Sequence, residues 1–435
     1  MTNVQISTDV PEKKRASFFH VFAVFLRLGC FSFGGPVAHL GYFRKFFVEQ
    51  HRWLSDQEYS ALVALSQFLP GPGSSQVGFA IGMKKAGVLG GVAAFLGFTL
   101  PSFLLMLWLA LATSTVISEE SFMGLVHGLK LLAIVVVADA CLGMFRSFCQ
   151  QALTRVIALA ASLMLLVAPG TSWFPIALLV LAAIVGWAGL TPELEKRSGI
   201  PSSTDDTPPQ LKSRLPLWIT LGVITLLLVA SVLVTPSAIQ VSFEGIFLEF
   251  FQIGSLVFGG GHVVLPLMEG QMLSHMMADR FLTGYSLAQA VPGPMFTLAG
   301  FMGAEIGWNE THHLGAAILT SVVATLGIFL PGLMLMAALM PHWQALNRRP
   351  ALMAAVKGVN AAVVGFLMQA LLFLLLMMLV KPFIGLSGSA MTTHLLTVLL
   401  PDLVLILMGW VVFKRFNLPL AWLVIVFAVA GLLLA

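Results

Sequence analysis

Three short strings occur twice in this chain, in the same order. "LGCFSFGGP" from Leu28 to Pro36 is echoed by "IGSLVFGGG" from Ile253 to Gly261, "QFLPGP" at Gln67–Pro72 by "QAVPGP" at Gln289–Pro294, and "GFTLPS" at Gly97–Ser102 by "GIFLPG" at Gly327–Gly332. The offset between copies is nearly constant, so the chain is an internal duplication and its fold has to be built twice. The longest polar run lies between the copies, over 191–214, with Glu193, Glu195, Lys196, Arg197, Asp205, Asp206, Lys212 and Arg214. It reads as a solvated linker. The apolar segment after it has no counterpart in the first half and reads as a single connecting helix. The predicted organisation is a cytoplasmic tail over 1–17, a first repeat over 18–190, the linker over 191–214, the connecting helix over 215–241, and a second repeat over 242–435.

A duplicated unit needs a solvent, and composition identifies it. Of 435 residues, 58% are hydrophobic and 10% charged, against about 25% charged in soluble domains. So little charge cannot cover a soluble surface, and the bilayer is the solvent. The net charge of +4 sits in short basic clusters between apolar runs, the pattern of cytoplasmic loops and not of nucleic-acid binding. Cys30, Cys141 and Cys149 form no CxxC pair and suggest no metal site. Lys13, Lys14 and Arg15 precede an apolar run that Arg27 interrupts and no small-residue cleavage site follows, which speaks against a cleavable signal peptide.

Charge also orients the two copies. Arg44, Lys45 and Arg52 correspond to a stretch carrying Glu269 and Asp279; Lys84 and Lys85 to one near Glu305 and Glu310; Glu119 and Glu120 to a loop with Arg348 and Arg349. The sign reverses each time. Corresponding loops are therefore expected on opposite sides of the membrane, as in an inverted-topology repeat. The N-terminus falls inside and the C-terminus outside; Lys381 is the exception to the charge rule.

The repeated motifs fall where helices should not continue. Gly34-Gly35-Pro36, Pro70-Gly71-Pro72, Gly259-Gly260-Gly261 and Pro292-Gly293-Pro294 each interrupt an apolar run, because Pro removes a backbone donor and Gly frees the backbone. Two readings satisfy the flanking charges: re-entrant hairpins turning at these tips, or pairs of kinked spans. On the hairpin reading each arm of about 14 residues rises roughly 21 Å, past the middle of the bilayer core. Nine further apolar segments, the connecting helix included, read as full spans. The fold class is an all-α polytopic membrane protein with two inverted homologous halves and broken or re-entrant helices.

Broken helices at membrane depth suggest the chemistry. A helix N-terminus presents unpaired N–H groups and partial positive charge, a ready anion site. If the four tips meet, several N-termini face one dehydrated anion. Side-chain donors cluster there: Ser32, Ser74, Ser75 and Gln76 in the first half, His262 and Thr297 in the second, with Gln67 and Gln289 preceding the two Pro-Gly-Pro turns. Arg27, matched by Gln252, is a costly intramembrane charge and a candidate for substrate contact. Lys130, Asp139 and Lys357 are candidates for a proton relay or for buried ion pairs.

"SFGGPVAHLGYFRKFFVEQHRWL", "LSQFLPGPGSSQVGFAIG", "VFGGGHVVLPLME" and "YSLAQAVPGPMFTLAGFMG" together resemble the chromate ion transporter family. The resemblance implies a bacterial inner-membrane transporter that lowers cytoplasmic chromate, a tetrahedral divalent oxyanion, and thereby confers chromate resistance. The expected mode is secondary export by alternating access, with protons as a candidate coupling ion and without a cofactor. A homodimer is compatible with it. Uptake or exchange of sulfate, which is close to chromate in charge and shape, is the alternative. An intramembrane chromate reductase would need a flavin, haem or thiol pair, for which no motif is present.

Overall fold

The break points predicted from the repeated motifs are helix ends in the computed structural model, which describes residues 16–116, 120–167, 173–197, 217–233, 242–258, 261–273, 275–343, 346, 349–380, 395–416, 418 and 420–434. Most of the N-terminal tail and the linker, and Glu119, Gly259, Gly260, Arg348 and Lys381, lie outside the described residues.

In the first half, α1 (Phe18–Phe31) is followed by α2 (Gly35–Phe43), which widens into a π-helical turn over Arg44–Gln50, then α3 (Asp56–Phe68) and α4 (Gly73–Val116). The long α4 breaks at Ala86 and Gly87, where the backbone leaves helical geometry. Next come α5 (Glu120–Phe148), α6 (Ala152–Val167) and α7 (Phe174–Arg197), with α8 (Leu217–Leu233) standing alone between the halves. The second half repeats the order: α9 (Phe243–Leu256), α10 (Val264–Met272), α11 (Ala278–Ala290), α12 (Leu298–Thr311), α13 (Leu314–Leu339), α14 (Pro350–Leu375), α15 (Leu400–Phe416) and α16 (Leu420–Leu434). The break inside α4 has its counterpart in the left-handed His312 between α12 and α13.

The short helices pair into four hairpins, each closed at its base by a contact from one arm to the other or to the loop that follows it. Sequence supplies the entries: Ser17 and Ser242 cap α1 and α9, and Ser55 with Glu58 forms a capping box on α3. His20 of α1 packs on Trp53, 5.9 Å between ring centroids, and Glu249 of α9 bonds His275 at 3.1 Å. Glu58 of α3 pairs with Lys84 of α4 at 2.7 Å, and Arg280 of α11 pairs with Glu305 of α12. Glu58 and Arg280 are counterparts in the repeat, so the same bridge is built twice with its charges reversed.

The longer helices exchange partners between halves. α5 packs against α15 and α16 of the second half, and α14 packs against α6 and α7 of the first. Glycines allow the close crossings, Gly128 against Gly431 and Gly186 against Gly358. Among the described residues six helices are long and apolar enough to cross a membrane: α4, α5, α7, α13, α14, and α15 together with the π-helical turn Leu395–Leu399 that leads into it. α6, α8 and α16, read from sequence as full spans, have 16, 17 and 15 described residues, each run ending where the described residues end. The chain is thus an all-helical multi-pass membrane protein.

Candidate functional site at the meeting of four helix breaks

Three of the four hairpins turn on a residue that only glycine accommodates easily; the turn after α9 falls on Gly259 and Gly260, outside the described residues. Gly34, Gly71 and Gly293 have φ of 101°, 115° and 94°, and the turns they make carry backbone donors and acceptors that no helix satisfies. The halves satisfy these groups reciprocally. The Gly71 N–H donates to the Val257 carbonyl at 2.6 Å, and the Gly293 N–H donates to the Ser32 carbonyl at 2.8 Å. Ser32 and Val257 end α1 and α9 and occupy the same place in the repeat; so do Gly71 and Gly293. Gly71 also abuts Gly332, Gly293 abuts Ser102, and Gly261 abuts Pro36. Four helix breaks therefore converge on one buried centre.

Polar side chains line it. Gln76 is fully buried on the first turns of α4; its Nε2 donates to the Pro70 carbonyl at 2.7 Å and the Gly332 carbonyl at 3.1 Å. The Pro72 carbonyl accepts from the Gln76 N–H, and Thr297 Oγ1 donates to the Pro294 carbonyl. His262 is partly buried, its Nδ1 3.3 Å from the Tyr285 hydroxyl. Ser74 and Ser75 are buried at the start of α4, and Gln289 is buried near the end of α11. The Ser75 Oγ has no hydrogen-bond partner, and neither amide atom of Gln289 has one of good geometry, although the Tyr285 hydroxyl lies beside it. Buried polar atoms left this way are costly, which marks them as groups held for something else.

Other candidates lie elsewhere. Gln67 is exposed on α3, although its counterpart Gln289 is 4% exposed. Arg27 is likewise exposed on α1, opposite a buried Gln252. Asp139 pairs with Lys414 and is near enough to His262 to act on it electrostatically. Lys130 pairs with Asp279 at 2.5 Å. Lys357 is half-buried on α14 and makes no ion pair among the described residues. The three possible relay residues are therefore not in contact with one another as a chain. Gly35 and Pro36 open α2, while Gly259 and Gly260 lie outside the described residues.

Sequence reasoning passed over His39. It is fully buried, with Nε2 3.1 Å from the Ser32 carbonyl and Nδ1 3.3 Å from the Ser74 hydroxyl, so it ties the first tip to the second. Its signal was its place four residues beyond Gly35, one helical turn into α2 and facing the tip. Ser102, matched by Gly332 in the repeated string, was passed over in the same way.

A many-helix membrane protein whose broken helices meet in a buried polar centre is built like a transporter, since irregular backbone at membrane depth is tolerated only inside protein or beside a water-filled path. Comparison with known proteins narrows this class. The family model described as chromate transporter matches residues 19–187 and 245–432, once for each half. The chain belongs to the chromate transporter family, and it is a transporter, not an enzyme. It is 27% identical over 417 residues to a probable chromate transport protein of Synechococcus elongatus, covering 94% of this chain and 93% of that one. It is 28% identical to a chromate transport protein of Pseudomonas aeruginosa, covering 81% and 79% of the two chains, and 26% identical to one of Cupriavidus metallidurans, covering 80% of each. No solved structure matches it.

Proposed function

We propose that this protein exports chromate from the cytoplasm, binding the anion where the four helix breaks meet. The observation that carries this reading is the reciprocal pair of backbone bonds, Gly71 to Val257 and Gly293 to Ser32. It brings the helix starts together around the unpartnered Ser75 hydroxyl and the Gln289 amide, which has only the Tyr285 hydroxyl beside it. A tetrahedral dianion offers four acceptor oxygens to such donors, and helix N-termini supply positive potential without a mobile counter-charge. The names of the relatives and of the family support chromate as the anion.

Direction follows from charge. The bases of the first-half hairpins carry Arg44, Lys45, Lys84 and Lys85, which the positive-inside rule places in the cytoplasm. The sign-reversed bridges Glu58–Lys84 and Arg280–Glu305 support opposite orientation of the halves in the bacterial inner membrane. A dianion leaving an inside-negative cell gains about 4.6 kcal/mol per 100 mV, twice the value for one charge, so export needs no nucleotide. The test is chromate flux in sealed vesicles of known protein orientation under an imposed potential, with sulfate as competitor. Efflux from the cytoplasmic face that steepens with inside-negative potential supports the reading. Flux of sulfate in preference to chromate, or flux indifferent to the potential, overturns it.

A further inference from the structure

The two halves are alike in sequence but not in how deeply their hairpins are buried. On α11, Ser286 and Gln289 are 1% and 4% exposed, and their counterparts on α3, Ala64 and Gln67, are exposed. Arg27 is exposed where Gln252 is buried. The cause is the bundle of exchanged helices. α5 and α16 pack on α11, and α14 packs on α10; α2 and α3 lean on α4, and α14 does not cover α3 as α5 covers α11. Arg27 and Gln67 lie within two to three turns of the tips, so their face cannot meet lipid tails without heavy cost. It borders water.

We propose that Lys130 and Asp279 form a gate that seals α11 against α5 on the second-half side, leaving the anion site reachable along the first-half hairpins alone. Lys130 comes from α5 and is nearly buried; Asp279 stands at the start of α11, and the two are 2.5 Å apart. Among the described residues it is the ion pair that joins α5 to a hairpin of the second half. The repeat places Asn360 of α14 at the position of Lys130, and Gln57 of α3 at that of Asp279. In this state the second pair is unmade: Gln57 is exposed and the buried Asn360 Oδ1 has no partner. The state in which the second half opens is the one in which Asn360 closes on Gln57. One gate is charged and the other a neutral amide pair, so the resting equilibrium favours closure at Lys130–Asp279. The inference rests on the tips being the anion path.

Impermeant thiol labelling tests it without any anion present, so the gate can fail while the chromate reading stands, and the reverse. In full-length protein with Cys30, Cys141 and Cys149 replaced, Ala64→Cys should label readily and Ser286→Cys should be protected. Asp279→Asn should raise labelling at position 286. Because Asp279 is 73% exposed at its side chain, the pair is screened, and the increase is about two- to fivefold. The exchanged pair Lys130→Asp with Asp279→Lys should return labelling to its starting level, which a merely structural contribution of either residue would not do. Equal labelling at 64 and 286, protection at 64 by a second copy, or labelling at 286 indifferent to Asp279→Asn would each overturn the proposal.

Discussion

Replacing Gly71 by alanine probes whether the tips must meet as closely as they do. Gly71 has φ of 115°, and a Cβ there would sit 2.8 Å from the Gly332 Cα and 3.0 Å from Gln76 Nε2. Two costs add. Holding a side chain in left-handed backbone costs about 1–2 kcal/mol, and forcing a methyl against packed backbone costs about 1–3 kcal/mol more. Gly35 separates them, because it has φ of 74° but nothing within 4 Å of its Cβ position. Gly35→Ala should therefore cost only the first, ~1–2 kcal/mol. Both totals are below the roughly 5–15 kcal/mol that holds a protein folded, so both variants should reach the membrane. Gly71→Ala should melt at the lower temperature in detergent. It should also lose at least tenfold in chromate flux in proteoliposomes, about 1.4 kcal/mol, as the displaced turn gives up the N–H bond to Val257. Equal melting of the two variants, or wild-type flux in Gly71→Ala, would refute the claim that tip contact is tight and functional.

Gln289→Leu removes a buried amide that lacks good partners, so stability should hold or rise by up to ~1 kcal/mol while chromate affinity, read by calorimetry, falls. Arg27, exposed on α1 two turns from the tip, should act on the anion through its charge alone, so Arg27→Gln should slow chromate entry and Arg27→Lys should not; equal flux in all three would make Arg27 a structural brace. His275, in the loop closing the α9 hairpin, has its pKa raised by its hydrogen bond to Glu249, with Glu310 adding to the effect. A raised histidine contributes stability that is full below its unfolded pKa near 6.5 and is lost as pH rises through the folded value. Protection against hydrogen exchange at that hairpin base, taken relative to the intrinsic rate at each pH, should therefore fall on the alkaline side, and His275→Gln should remove that pH dependence of protection.

Much of this was legible from the repeated strings, because Gly and Pro act locally: they stop a helix wherever they stand, and the breaks at Gly34, Gly71 and Gly293 are where the motifs placed them. The bases were half legible. Glu58 and Arg280 could be read as opposite charges at matching positions, but their partners Lys84 and Glu305 depend on the hairpin closing. The contacts between tips left no side-chain signature, since Gly71 to Val257 and Gly293 to Ser32 are backbone bonds. The exchange of α5 and α14 between halves was illegible for a similar reason. Gly128 and Gly358 look like any small residues in an apolar helix, and a close crossing to a helix hundreds of residues away has no local pattern. Arg27 stands out in the sequence as a charge within an apolar run, but which side of α1 faces the bundle depends on the partners α1 finds, and Arg27 is exposed.

The exchange of partners bears on mechanism. α5 is held by α15 and α16, α14 by α6 and α7, and α5 and α14 pack on each other, so these six helices form one packed bundle. On the proposed reading that bundle moves as one body and the hairpins, joined across the middle by their tips, as another. Two stiff bodies facing each other cannot close both ends of the interface at once if the covering helices are already seated on α10 and α11. Seating them on α2 and α3 requires leaving the other pair. On the proposed reading, the anion at the tips is then open to one side at a time, without a dedicated lid. The duplication supplies both seats, and the difference between a charged pair at Lys130–Asp279 and a neutral one at Asn360 and Gln57 sets which seat is occupied at rest.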